Sequence, residues 1–557
     1  MNDDSSDVSK SPDDAAMAPS KAFTRRWFLA TGSSAGLGAL FLAACGSSDG
    51  GAVATTLAGS VPAEITATTE SAAAGGRPMG GVLRAAVTAG SAATDLLDPN
   101  GPTTGSMQQA RTHGVFSLLT DVSPDGAYKM QLAESIEGNA DATEWTITLK
   151  SGVQWHDGSP FTADDVVYSL LRQMDPASEL SSAASSLDMV APDGVTKVDD
   201  LTVKLVLTRP WSDMPAQLGQ RYNSIIKAGT TEFTPETMIG TGPFKFKSYT
   251  PGERTTLTRN DNYFEDGPYV DTVELISITE PTARLNALQA GQVDAAEHID
   301  PSQISVLEAA GLVPLIAPAG AWRPIYMNTQ VEPFNDVRVR QAMKHLVDRE
   351  QMVAVAQQGI GSVGNDLFAS GDPLYASGIE QRTYDPEKAV SLLKEAGYED
   401  YEFVLHTSDV EPTFVSAALI MAENAKAAGI NFTTQQHPTD SFWSDVYGKV
   451  SFCFSSWGWR PFLAQWIQSF EAYNGDETNW VNKRATELVA EVASTVDEAK
   501  RTELAAEAQQ LLWDDGGYII WGFNSNISAV SAKLKGIEPH IFNPLGWYTF
   551  KDAWFDK

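Results

Sequence analysis

Two runs, Gly32-Ser33-Ser34-Ala35-Gly36 and Gly46-Ser47-Ser48-Asp49-Gly50, have the G-x-S-x-G spacing that places a nucleophilic serine on a sharp strand-to-helix turn in hydrolases. Neither follows a strand pattern or opens a helical one, so neither forms that elbow. The seven histidines (113, 156, 298, 345, 406, 437 and 540) are scattered without metal-ligand spacing, and no H-E-x-x-H run or P-loop is present. His156, in Trp155-His156-Asp157-Gly158, reads as part of a structural turn. Cys453, between Phe452 and Phe454, reads as a buried inert thiol. Triads can assemble from distant segments, so an exported α/β hydrolase stays open as an alternative.

A stronger signal comes from the rings. Phe442 to Trp480 holds 12 aromatic residues in 39, whereas the whole chain is 9% aromatic. Cores favour Leu, Val and Ile; concentrated Trp and Tyr more often line recognition surfaces, where they offer large rigid area with a polar edge. The alternative for this segment is a tryptophan-rich core strand followed by an amphipathic helix, and Phe452 and Phe454 alternate as strand residues do.

The elements around these residues follow two periods. Glu144–Leu149 alternates, with Trp145, Ile147 and Leu149 on one face, and Thr202–Leu207 and the run from Phe244 repeat the pattern of half-buried strands. Thr162 to Arg172 predicts a helix capped by Thr162, with Val166, Val167, Leu170 and Leu171 as its apolar face. Asp336 to Val355 predicts one helix, with Val339, Met343, Leu346 and Val347 inward. A third helix starts at Asp385-Pro386-Glu387 and stops at Gly397. Strands and helices interleave without a short repeat, which means mixed α/β.

The first 81 residues differ. Arg25-Arg26, a weakly apolar stretch and Leu42-Ala43-Ala44-Cys45 succeed one another as in a twin-arginine lipoprotein signal, resembling a lipobox that acylates Cys45. Residues 1–44 are then the signal peptide, and 45–81 a Gly/Ala/Ser/Thr-rich tether with a reach of about 30–36 Å. The chain carries a net charge of −32. Residues 1–44 hold four basic and five acidic side chains, so −31 remains on the exported part. Such a surface repels phosphate backbones and anionic headgroups, which argues against nucleic-acid binding. With Cys45 acylated, Cys453 is the only thiol left and no intramolecular disulfide can form.

Four blocks in the body resemble the extracytoplasmic solute-binding proteins of ABC importers, family 5. They are Leu132–Ser135 with Val153–Val166, Gly240–Phe244 with Arg259–Phe264, Phe334–Met343 with Val347–Glu350, and Tyr384–Ala389, in the family's order. The resemblance implies a two-lobed periplasmic-binding-protein-like α/β fold that closes on its ligand by hinge motion. Lobe I would comprise residues 82–322 and 524–557, with a subdomain inserted at about 115–238, and lobe II residues 323–523. It also implies a monomer without catalysis or cofactor. That monomer is lipid-anchored outside the cell membrane and passes a small solute or short peptide to permease subunits with cytoplasmic ATPases. A receptor that senses its solute is a second alternative.

Within Ser456-Trp457-Gly458-Trp459-Arg460-Pro461, which aligns with the family's cleft segment, peptide binders commonly carry an acid that holds the ligand's ammonium group. Here Arg460 takes that place, or the acid has been lost in a short deletion. A guanidinium pairs with a carboxylate or phosphate, or stacks on Trp. The expectation is a ligand anion or planar acceptor at Arg460 between Trp457 and Trp459; the alternative is an Arg bonded to a nearby Asp within lobe II. Arg323 at the lobe crossing, Tyr222 and Asn223 from lobe I, and Trp521 and Phe523 at the return crossing complete the candidate ligand contacts.

Overall fold

The computed structural model describes residues 76–556 apart from 103–104, 125, 179, 181–185 and 473–476. The signal segment, Cys45, both G-x-S-x-G runs, most of the tether and Tyr473 of the aromatic segment lie outside the described residues. No helix among the described residues is long and apolar enough to cross a membrane.

Three sheets organise the body. The largest has eight strands, with Val82–Val87 near its centre running parallel to Thr272–Ser277 and to Ala295–Ala296. The long antiparallel pair Leu312–Trp322 and Gly522–Ser531 closes one side of it, and Arg254–Arg259 and Phe244–Thr250 close the other. A second sheet has five strands, in the order Phe432–His437, Phe403–Ser408, Phe452–Phe454, Ile325–Met327 and Tyr518–Ile519. A third is an antiparallel meander of Ala133–Gly138, Glu144–Leu149, Thr202–Leu207 and Val190–Asp199.

Local sequence explains these elements. In Glu144–Leu149 the alternation places Trp145, Ile147 and Leu149 in the core while Thr146 faces solvent. Thr162 and Asp165 form a reciprocal capping box at the start of Ala163–Met174, satisfying two backbone donors that have no partner within the helix. Its buried stripe is narrower than the pattern suggests. Val166 and Leu170 are enclosed, but Leu171 is 38% exposed.

The expected helix from Asp336 to Val355 is two helices, Val337–His345 and Arg349–Ala356. The break has a cause in Asp348, whose carboxylate accepts from Gln351 N at 2.9 Å and caps a new helix after Leu346-Val347. All four residues expected to point inward are buried. Asp385 caps Pro386–Ala396, and Gly397 ends it at φ 80°, in the left-handed region that glycine adopts at little cost.

Beneath these helices lies a buried group of charges. Asp366 accepts from Arg349 Nη2 at 2.6 Å and Arg382 Nε at 2.8 Å, with all three side chains at most 2% exposed. Lys344, also enclosed, donates to Trp513 O at 3.0 Å. Burial pushes the Asp366 carboxyl up, but Arg349, Lys344 and Arg382 outweigh it and hold the acid below its ordinary value.

Candidate functional site

The two larger sheets meet where strand Leu312–Trp322 runs out. Trp322 exchanges backbone hydrogen bonds with Trp457, N to O at 3.0 Å in both directions. Their indoles stack nearly parallel, with centroids 5.7 Å apart and planes 10° apart. Arg323 turns its guanidinium to Glu411 at 3.0 Å, and Glu411 also accepts from Ser456 Oγ at 2.9 Å. Arg323 Nη1 donates as well to the Trp322 and Trp457 carbonyls. Arg323 is therefore a brace for the crossing, satisfied within the protein.

Trp457 is fixed from behind. Its Nε1 donates to both oxygens of Glu477, at 3.0 and 3.1 Å. Ser455 Oγ donates to the same carboxylate at 2.6 Å and Tyr447 Oη at 2.5 Å. Glu477 is 3% exposed, and burial pushes its carboxyl up while these donors pull it down. The half-buried Arg460 places its Cζ 5.7 Å from the Trp457 ring centroid, within cation–π range.

Trp459 reaches the other way. Its Nε1 donates to Ser370 O at 2.8 Å and its ring meets Phe542 of the C-terminal segment, centroids 3.8 Å apart. Gly320 leaves the space this ring occupies, since a Cβ there would overlap Trp459 Cδ1. Gly320→Ala is expected to expel the indole from its seat and change the tryptophan emission and near-ultraviolet circular dichroism at unchanged helix content. A variant with wild-type spectra would show that the ring is not held there.

The remaining candidates lie elsewhere. Asn223 is enclosed and bonded to Gln217 O at 2.6 Å and Ser186 Oγ at 3.1 Å. The neighbouring Tyr222 ring is covered by the Arg221 guanidinium at 4.1 Å, and its carbonyl accepts from Asn100. Trp521 and Phe523 sit in the core at 0% and 1% exposure. Phe523 pairs in register with Trp322, which places it under the crossing. The structure thus gathers Trp457, Trp459, Arg460 and Arg323 into one strip, backs it with Phe523, and holds Tyr222 and Asn223 through separate contacts.

Sequence reading passes over Glu477 and Glu411, which stand in Asp476-Glu477-Thr478 and Asp409-Val410-Glu411 and look like ordinary loop acids. It also passes over Gly359-Ile360-Gly361-Ser362-Val363-Gly364, which has the G-x-G-x-x-G spacing of dinucleotide sites. That run follows helix Arg349–Ala356, and its Ser362–Val363 pairs with Gly522 and Phe523. It lacks the strand–turn–helix context in which a helix N-terminus cradles a diphosphate. Two of the scattered histidines do meet: His406 Nδ1 lies 2.8 Å from His437 Nε2 on neighbouring parallel strands. Among the described residues, however, no group of three or more His, Cys, Asp or Glu is placed to hold a metal ion.

The side chains that might have been catalytic are tied down. Both ring nitrogens of His156 are engaged by backbone, with Gly240 N and Gly242 O, and burial pushes its pKa to about 4. Burial pushes the enclosed Cys453 thiol up to about 12, which leaves almost no thiolate at neutral pH.

Residues 127–477 match the family model described as bacterial extracellular solute-binding proteins, family 5 Middle. The chain belongs to this family. The family 5 protein is 28% identical over 458 residues to the dipeptide-binding protein of Escherichia coli K12, covering 76% of this chain and 85% of that one. It is 26% identical over 494 residues to heme-binding protein A of Haemophilus influenzae, covering 80% and 88%. Among solved structures, HbpA2 from Haemophilus parasuis superposes with a TM-score of 0.76 at 22% identity, covering 86% of this chain and all of the other. The fold is the two-lobed α/β fold of such proteins, and the family is one of binding proteins rather than enzymes. None of these similarities supports a hydrolase.

Proposed function

We propose that this family 5 protein captures a peptide or related small solute outside the membrane and delivers it to an ABC permease driven by cytoplasmic ATPases. In this reading it is a monomer whose lobes close over the ligand without covalent chemistry. Lobe I comprises residues 82–322 and 524–557, with the meander subdomain at about 115–238, and lobe II residues 323–523; the membership of the sheets supports that division apart from Ser362–Val363, which adds to the edge of the largest sheet at Gly522 and Phe523. The protein is exported by a twin-arginine signal over residues 1–44 and lipid-anchored at Cys45, which keeps the receptor near its permease on the outer face of the membrane.

The observation that carries the ligand reading is the strip Trp457–Arg460. One of its indoles rests on Trp322 and the other on Phe542. The strip therefore touches segments on both sides of the proposed lobe division, where a ligand would stabilise the closed state differentially. Arg460 suits an anionic or planar acceptor group on that ligand, with Trp457 and Trp459 as flanking aromatic walls. Arg323, Trp521 and Phe523 support the strip from within, and Tyr222 and Asn223 belong to the lobe I wall.

Native mass spectrometry of protein from its producing host is expected to show an intact co-purifying solute. Arg460→Ala should then weaken binding of that recovered solute about 10–100-fold, as expected for loss of a charge-assisted hydrogen bond worth roughly 1.5–3 kcal/mol. Unchanged affinity would remove Arg460 from the site. Turnover of a peptide library by the purified protein would overturn the receptor reading.

A further inference from the structure

Strand Phe432–His437 ends the five-stranded sheet on one side and runs parallel to Phe403–Ser408, with Gln435 opposite His406 and His437 opposite Ser408. Residues two apart on a strand share a face, so His406 and His437 project from the same side of the sheet. Nδ1 of His406 faces Nε2 of His437 at 2.8 Å, with ring centroids 5.1 Å apart and planes 14° apart, which sets the two rings end to end. Both residues are half-buried. Among the described residues no third His, Cys, Asp or Glu joins them in a metal-holding group.

Two neutral imidazoles in this arrangement hold one N–H and one lone pair in the gap between them. The same gap has the dimensions of a coordination edge. Imidazole nitrogens bind divalent transition metals at about 2.0–2.1 Å, so two of them at right angles around one ion stand about 2.8–3.0 Å apart, whereas a tetrahedral ion sets its ligands about 3.3–3.4 Å apart. The observed spacing therefore suits the right-angled shells of Cu2+ and Ni2+ better than tetrahedral zinc. Such an ion sits beside the line joining the nitrogens, and each ring swings by about 45° to aim its lone pair there, a side-chain rotation that leaves the strands in place. The proton in the gap passes through water to the far nitrogen of the ring that carried it, so both rings ligate as neutral imidazoles and no redox change is involved. Burial, and then His437, already hold the His406 pKa below its ordinary value, which keeps that ring neutral at pH 7.

We propose that His406 and His437 form a two-histidine site for a divalent transition-metal ion with right-angled coordination, Cu2+ or Ni2+, and that the bound ion clips the outermost strand of the five-stranded sheet to its neighbour. Water completes the shell. Copper binds more tightly than nickel, following the general order of these ions for nitrogen ligands. Because the two rings meet only in the folded sheet, the ion binds the native chain in preference to the unfolded one and stabilises it.

The test titrates Cu2+ into the full chain carrying Cys45→Ser, which removes the one thiol outside the core, since Cys453 is enclosed. Pulsed electron paramagnetic resonance counts the imidazole nitrogens on the tightest-bound ion, and two are expected. His406→Gln and His437→Gln should each lower that count to one and weaken binding about tenfold or more, because the second ring binds an ion already held on the same chain. His298→Gln, at an exposed histidine elsewhere, should change neither. Ni2+ should raise the thermal unfolding midpoint of the Cys45→Ser chain and leave those of the two variants unmoved. One imidazole nitrogen or none on the Cys45→Ser chain would overturn the site whether or not the variants fold. Undiminished binding in both variants would do the same, and either result would leave the two rings sharing a hydrogen bond only.

Discussion

Asp366→Ala is expected to cost about 3–5 kcal/mol of folding stability, because it strands two buried guanidiniums at once. Arg349 and Arg382 both bond to Asp366 and are each 2% exposed, so water cannot replace the lost acceptor without opening the core. Asp366 also accepts from Ile520 N at 3.1 Å, tying the segment that carries Ser370 and Asp372 to strand Tyr518–Ile519. The loss should therefore loosen the seat of Trp459 as well as the helices. Asp366→Asn should be milder, since asparagine keeps the shape and tolerates the left-handed backbone at this position, φ 59°. Urea denaturation reads both. An Asp366→Ala midpoint within error of wild type would mean that the arginines find other partners.

Lys344→Met should do the opposite and stabilise the protein at and below neutral pH. Burial, reinforced by Arg382, Arg340 and Arg349 against the attraction of Asp366, lowers the Lys344 pKa to about 7 from an ordinary 10.5. The sign follows from proton counts. Between pH 7 and 10.5 the unfolded chain holds a proton on this lysine that the folded chain has released, so wild-type stability rises with pH across that window. Below pH 7 the folded protein carries the full burden of a buried ammonium, up to about 4–5 kcal/mol. Methionine fills similar volume without charge. The acceptor left behind, Trp513 O, still receives Arg382 Nη2 at 2.7 Å. The variant should therefore exceed wild type by several kcal/mol at pH 6, with the gap closing towards pH 10. Parallel stability–pH curves for the two proteins would contradict this.

Lys344 lies in the stretch Asp336 to Val355 that the sequence marks as helical, whereas Asp366 lies outside every motif, and the difference shows what a sequence makes legible. Period-two alternation in Glu144–Leu149 and Thr202–Leu207, and the caps at Thr162 and Asp385, express local physics and survive into the structure. The break at Asp348 was also local, but the apolar Leu346-Val347 continues a helical stripe and masks the new cap. The strip at Trp457–Arg460 is visible as an excess of rings. Its partners are not: Trp322 is 135 positions away, and Glu477 sits in a polar stretch that resembles a surface loop until the fold closes over it. An acid in such a loop becomes recognisable as a ring-positioning group only when the strands that bury it are known. Likewise, His406 and His437 meet only because their strands run parallel in the observed register.

The near-parallel pair of Trp322 and Trp457 has an optical consequence. Two indoles 5.7 Å apart at 10° are near enough for their excited states to mix, so their signal depends on mutual orientation as well as on polarity. One ring ends a strand of the largest sheet and the other follows a strand of the five-stranded sheet. Any event that shears these sheets against each other will change the coupling, and the protein thus carries its own label-free gauge of that motion.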